Sequence, residues 1–385
     1  MKKDLLFIIT LGIILAIFIP LFSPDKGRVD LLAYWSAAHI YASGGNPYSQ
    51  AEMGQLERQT DPERFAKSDI LSNAWSPPWL ILIMLPVGVL PYTIAIPVWI
   101  FCNTLLIGVS LLLTWKICVG NRPSRGILVV YLAGFLFVET LTYLAIGQIT
   151  SLVLLGIVLG IWLLDRNLDF LAGIAFLLTT IKPHISYFFL LLAFIWVIQN
   201  RRWKVLVGFL ISALISMLVF WITNPDWIID YLTLLNNLPF SRLYLSTLGD
   251  FMSVKFKLSI FNYSALLLVF LVKPLLQLLK AEGWMTATNL ALLISIPLSP
   301  YGFNFDHVVI LPAFVQLIAW ASSDELPRKA IVFLAASLAL IELIVGKMAM
   351  INGLEYFWFF WIPLAILAVF VIVWKMRYAP QKFAH

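Results

Sequence analysis

Seven polar or ionisable residues stand in or beside long apolar runs: Asp30, Glu139, Gln148, Lys182, His184, Asp306 and His307. A carboxylate at Asp30 can act as a general base that takes a proton from a hydroxyl. It can equally cap the free N–H groups of a helix that begins there. Lys182-Pro183-His184 breaks an apolar run. Either Lys182 is a cation facing an anionic ligand, with Pro183 opening the helix at a cavity, or the triplet is a tight turn with a snorkelling lysine. Asp306 and His307 follow Tyr301-Gly302-Phe303-Asn304-Phe305 and open another run. Helix N-termini hold phosphate through free N–H groups and the dipole, and His307 could add a donor or a positive charge. The alternative is Asp306 as a cap with His307 at the interface. Gly147-Gln148 reads as a helix-start turn or as a contact to a sugar hydroxyl. Arg28 is a further candidate phosphate partner, and Trp75 and Trp79 are an interfacial belt or a sugar platform.

Other chemistries find no support. No pair of closely spaced acids resembles a metal site, the nearest to one being Asp25 and Asp30, five residues apart across a glycine, so neither a divalent metal nor any other cofactor is expected. No Walker motif, dinucleotide fingerprint or nucleophile elbow occurs. Cys102 and Cys118 share one apolar run and are not expected to pair.

The elements that must position these groups lie in lipid. The 385 residues are 61% hydrophobic and 12% charged, with a mean hydropathy of +0.93. Soluble domains carry about 25% charged residues, too many for this chain to match while covering its apolar surface. Apolar runs broken by Pro, Gly and charge predict spans at roughly 5–22, 92–116, 126–143, 147–164, 168–182, 185–199, 203–222, 260–279, 285–299, 306–321, 329–346 and 353–375, about twelve transmembrane helices. The first run is longer than a signal-peptide core and is followed by Pro20, Phe22 and Pro24, so it reads as a retained helix. The Pro-rich stretch 77–90 is too short to span and reads as re-entrant or interfacial.

Charge tests this topology. With Lys2 and Lys3 inside, the inside segments hold sixteen of the 26 basic residues but six of the 20 acidic ones. That satisfies the positive-inside rule and puts both termini in the cytoplasm. The net charge of +6 is therefore read as topology and not as affinity for nucleic acid. All seven chemistry-bearing residues then fall at extracytoplasmic helix ends or loops. Ionisable groups at membrane depth are costly unless paired or functional, which points to one extracytoplasmic cavity. Two outside loops are long, 23–76 and 223–258, and such loops usually have structure or function. In the first, Asp30, Tyr34, Ala37 and Ala38 recur at helical spacing, and Gly44-Gly45-Asn46-Pro47 stops the helix. Short interfacial helices are expected there. With no repeat and no linker, the chain reads as a single polytopic membrane domain, 1–385, all-α.

These landmarks resemble a known family. Asp30, Tyr34, Ala37, Ala38 and then Gly44-Gly45-Asn46-Pro47-Tyr48 are similar to the first extracytoplasmic loop of glycosyltransferase family 87. Ser76-Pro77-Pro78 with Pro86 and Pro91, Gly147-Gln148, Lys182-Pro183 with a run to Arg201-Arg202-Trp203, and Ser299-Pro300-Tyr301 leading to Asp306-His307 follow in order. The resemblance covers roughly 25–315. It departs from the family pattern at Ile149-Thr150, where a polar Asn is expected. It implies a GT-C glycosyltransferase fold and a polyprenyl-phosphate-linked sugar donor. Known members are mannosyltransferases, with some pentose-transferring relatives. It also implies inversion at the anomeric carbon without metal, with Asp30 as base on a lipid or glycan acceptor. Donor-phosphate and substrate contacts then fall to His307, Lys182, Asp306, Tyr34, Gln148, His184, Tyr301 and Arg28. A lipid-linked-sugar flippase and a ligase of whole glycans are the competing readings, and a scaffold without activity is a further one.

Overall fold

The computed structural model describes residues 2–22, 29–67, 75–120, 126–236, 245–323, 326–352 and 356–378, which contain helices and no strand. Arg28 and Asp25 lie outside the described residues. The chain opens with α1 (Lys2–Phe22), and the first long loop supplies α2 (Val29–Ala42), α3 (Gln50–Thr60) and α4 (Pro62–Lys67). Then come α5 (Pro78–Gly88), α6 (Tyr92–Val119), α7 (Ile127–Leu136), α8 (Val138–Ile146), α9 (Thr150–Leu164) and α10 (Asp169–Leu177). A 3₁₀ turn, Leu178–Ile181, leads to α11 (Pro183–Gln199) and α12 (Trp203–Thr223). The second long loop carries α13 (Trp227–Asn236) and α14 (Leu248–Phe256). A 3₁₀ stretch, Ser259–Leu271, continues into α15 (Val272–Ser295). Another, Asn304–Ile310, leads into α16 (Leu311–Ser322), followed by α17 (Arg328–Asn352) and α18 (Trp361–Tyr378).

Among the described residues, seven helices are long and apolar enough to cross a membrane, and a bent pair would make eight. The protein is accordingly a multi-pass membrane protein. The span expected over 126–143 is that bent pair, α7 and α8, at 61°. The break is at Phe137, whose backbone is extended (φ −57°, ψ 121°) and whose ring packs against Phe314. Glu342 from α17 then accepts from the Val138 N–H at 3.1 Å, satisfying one of the orphan donors at the new helix start. Helices α5, α9, α10 with its 3₁₀ turn, and α11 are apolar but only 10–17 residues long. Fifteen residues of helix rise about 22 Å, short of the ~30 Å hydrocarbon core, so length by itself does not make the expected spans at α9, α10 and α11 cross, and α5, expected to be re-entrant or interfacial, is shorter still. The break expected between 279 and 285 falls at Gly283, the one non-helical residue inside α15 (φ 83°, ψ 176°).

Burial sorts the helices into a core and a rim. Along α9 and α16 nearly every side chain is buried, whereas α12 exposes Leu210, Leu214, Leu218 and Ile222 and α1 exposes Leu6, Ile13 and Leu21. Helices apolar on their outward face are built for lipid. Close approach between helices uses small residues, as helix pairs in lipid commonly do. The α10–α12 crossing is the tightest case. A Cβ on Gly173 would collide with the Val205 carbonyl, and one on Gly208 with the Phe170 carbonyl.

The helices expected in the first long loop are α2, α3 and α4, and Gly44 in the left-handed region (φ +81°) turns the chain after α2. The two long loops are tied to each other. Asn46 donates to Asp230 at 2.7 Å and accepts from Asn224 at 2.9 Å, while the Tyr231 hydroxyl donates to the Trp75 carbonyl. Further along the second loop, Ser246 N–H donates to Gly302 O and Leu248 N–H to Pro297 O. Both loops therefore brace the same end of the bundle.

Candidate active site

Seven of the residues singled out from the sequence, Asp30, Tyr34, Gln148, Lys182, His184, Tyr301 and Asp306, meet at that end. Asp30 lies in the first turn of α2. Leu31 beside it is buried against Gly147, the left-handed residue (φ +73°) that turns the chain from α8 toward α9. A Cβ at Gly147 would stand 2.6 Å from that of Leu31. This close crossing brings Asp30 to Gln148, whose Nε2 donates to Asp30 Oδ2 at 2.6 Å. The far end of α2 is fixed by Trp35 Nε1 donating to Leu90 O and by His39 Nδ1 at 2.9 Å from Gly88 O.

Gln148 is the hub. Its carbonyl accepts from Trp99 Nε1 and Asn103 Nδ2 and lies 2.9 Å from the Tyr143 hydroxyl. Tyr143 and Ser151 both reach Asn103 Oδ1. With the backbone held by buried polar groups from α6, α8 and α9, the side chain is free to bridge. Its Oε1 accepts from Lys182 Nζ at 2.7 Å and from the Tyr34 hydroxyl at 3.2 Å. The amide thus turns its acceptor to the cation and its donor to the carboxylate, the orientation that satisfies both partners.

Lys182 sits at the break between the 3₁₀ turn and α11, where Pro183 can only start a new helix. Its Nζ also donates to Asp306 Oδ1 at 2.7 Å. Among the described residues two of the three ammonium donors are used, which leaves one N–H for a ligand. Asp306 is fully buried and its charge is compensated on every side. Thr150 Oγ1 donates to Oδ1 at 2.8 Å, Phe303 N–H to Oδ2 at 3.1 Å, and His184 Nε2 lies 3.8 Å from Oδ2. The Phe303 bond makes Asp306 the cap of its own 3₁₀ helix, as one of the two sequence readings expected, and its other oxygen pairs with Lys182, which neither reading foresaw. The His184 ring stands edge-on to Tyr301 at 4.8 Å, and Lys182 lies 5.3 Å from the centre of the Phe305 ring.

His307 is placed differently. It is fully buried, and neither ring nitrogen has a hydrogen-bond partner among the described residues. Side chains three apart eclipse in a 3₁₀ helix, so His307 shares the face of Asn304, which donates to the buried Glu139 at 2.8 Å. Asp306 and His307 therefore point into different seams. Sequence reasoning missed Thr150 as a partner of Asp306. The signal was present, since Thr150 is at the position where the resemblance expected a different polar residue nearby. It also missed Trp99, Asn103 and Tyr143, which look like ordinary residues of buried helices until the fold gathers them on the Gln148 carbonyl, and Ser151, which donates to Asn103 Oδ1.

Gly147 offers a first test. Ala there must adopt a left-handed backbone and push Leu31 away, at a cost of about 1–3 kcal/mol. Gly147→Ala should lower the thermal midpoint in detergent, and an unchanged midpoint would show that α2 does not lean on this turn.

The model of glycosyltransferase family 87 matches residues 76–343. No curated protein and no solved structure matches the chain. The matched stretch includes Gln148, Lys182, His184, Tyr301, Asp306 and His307 and begins after Asp30 and Tyr34. Since it covers well over half of the sequence, the chain belongs to glycosyltransferase family 87 and is a membrane glycosyltransferase.

Proposed function

We propose that the cluster around Gln148 transfers a single sugar, mannose in our reading, from a polyprenyl-phosphate donor to a hydroxyl of a lipid or glycan acceptor. The observation that carries the proposal is one amide holding a carboxylate and an ammonium together, Asp30 on Nε2 and Lys182 on Oε1. An inverting displacement needs a base on one side of the anomeric carbon and a stabilised anion on the other. The acceptor oxygen forms its bond to the anomeric carbon as the bond to the phosphate oxygen breaks. Asp30 takes the acceptor proton, and polyprenyl phosphate leaves with the electron pair, facing the remaining N–H of Lys182. Asp306 keeps Lys182 in place. Tyr34, Gln148, His184, Tyr301, His307 and Arg28 complete the candidate substrate contacts, and the two unbonded nitrogens of His307 leave it able to take a ligand oxygen.

The reading carries with it a GT-C fold, a single domain of about twelve crossings with cytoplasmic termini, and a site on the extracytoplasmic face. The distribution of basic residues supports that orientation. It also makes the reaction metal-independent. The test is incubation of the detergent-purified protein with radiolabelled polyprenyl-phosphate-mannose and a membrane-lipid extract, with and without chelator. Label should enter a new lipid equally in both. Loss of transfer with chelator would remove the metal-free mechanism. No transfer from mannose or pentose donors, together with accelerated flipping of the donor in liposomes, would replace the transferase reading by transport of the same lipid.

A further inference from the structure

A groove of about 300 Å³ opens between α5, α10 and α12. Its origin is the glycine crossing described above. Helices α10 and α12 touch at Gly173 and Gly208 and diverge along their length. One turn further, at Leu177 and Ser212, a gap has opened, and Trp79 and Leu82 of α5 wall it from the third side. Ser212 and Ser216 are the polar side chains in the wall, yet each hydroxyl is spent on its own helix, Ser212 on Gly208 O and Ser216 on Ser212 O, both at 2.8 Å. Apart from the Trp79 indole N–H, which is buried and has no partner among the described residues, the groove offers only hydrocarbon. The adjoining face of α12, with Leu210, Leu214 and Leu218, is exposed and apolar, so entry is from lipid.

The groove also has a polarity along its length. At one end, α10 and α12 are joined by the Asp169–Arg202 ion pair. At the other, the wall residue Leu178 begins the 3₁₀ turn that delivers Lys182. Four residues of 3₁₀ helix rise about 8 Å, the scale of a phosphate and its first link to a chain. A ligand fitting this arrangement has an anionic head at Lys182 and an apolar chain running away from it.

We infer that this groove seats the isoprenoid chain of the donor lipid, with the groove's Lys182 end taking the phosphate. The inference rests on the donor reading above and deepens it by naming the face through which the donor enters. Ser212→Phe would fill the gap.

The experiment uses the purified wild-type protein and a polyprenyl phosphate, without sugar, that carries a photoreactive group in its first isoprene units. Label is expected on α5, α10 and α12 at the groove. It should be removed by excess polyprenyl phosphate and spared by a phospholipid of equal chain length. In the transfer assay, Ser212→Phe should lower the ratio of kcat/KM for long-chain over single-isoprene donors by about tenfold or more. Leu343→Phe on the exposed face of α17, away from the groove, should not. Label elsewhere, equal competition by the phospholipid, or an unmoved ratio in a folded Ser212→Phe protein overturns the inference. Groove labelling in a wild-type protein that transfers from no polyprenyl donor would sink the transferase reading and leave the groove standing. Transfer with label elsewhere would do the reverse. If Ser212→Phe does not fold, the labelling of the wild type decides.

Discussion

Asp30→Asn should abolish sugar transfer, by about 10³-fold or more in kcat, while the purified protein melts at its usual temperature. Asn has the size of Asp, and its side-chain carbonyl can still accept from Gln148 Nε2, which now donates to Asp30 at 2.6 Å. The bridge to Lys182 through Gln148 is therefore kept. What is lost is the ability to take a proton, a contribution of roughly 10²–10⁴-fold for a positioned base. The two readings of Asp30, base and helix cap, separate here. A cap replaced by Asn changes stability by a few tenths of a kcal/mol at most, because Asn caps about as well as Asp, and it leaves turnover alone. Transfer within tenfold of wild type would remove Asp30 from the chemistry.

Lys182→Met is the second large effect, and it acts on stability first. Asp306 is fully buried, and Lys182 is its closest cationic partner, at 2.7 Å. Removing one member of a buried pair strands the other charge, at a cost of about 3–5 kcal/mol. The single variant should be poorly folded and inactive. In Lys182→Met/Asp306→Asn the stranded charge is gone, the amide oxygen can still accept from Phe303 N–H, and the amide NH2 can donate to the Thr150 hydroxyl. The double variant should recover most of the lost stability and none of the activity, since the leaving phosphate has no cation. A thermal melt and the transfer assay on all three proteins measure the coupling directly. Recovery of transfer along with folding would mean that Lys182 only holds Asp306 and never faces substrate.

The membrane character was legible in the sequence because it rests on composition: 61% hydrophobic residues cannot be covered by 12% charged ones. The first-loop helix at Asp30 was also legible, from spacing and from the Gly-Asn-Pro stop. So was the helix break at Lys182-Pro183, because proline has no N–H and fixes its own φ. These are properties of a residue and its neighbours in the chain.

The site itself required the fold. Asp30, Gln148, Lys182 and Asp306 stand 118, 34 and 124 residues apart along the bridges that join them, and no local pattern carries such distances. Gly147-Gln148 is an ordinary turn by sequence. It becomes a hub because Leu31 packs on Gly147 and because three buried side chains gather on the Gln148 carbonyl. The neighbours Asp306 and His307 look like one motif, yet a 3₁₀ backbone sends them into different seams. The bend at Phe137 was hidden for the same reason: an apolar run records that a segment lies in lipid, and only the packing of Phe314 and the Glu342 cap decides where it turns. Sequence determined the solvent, the local breaks and the kinds of groups present. Tertiary structure decided which groups share hydrogen bonds, since burial in a low-dielectric core forces each polar atom to find its partner wherever the chain's crossings bring one.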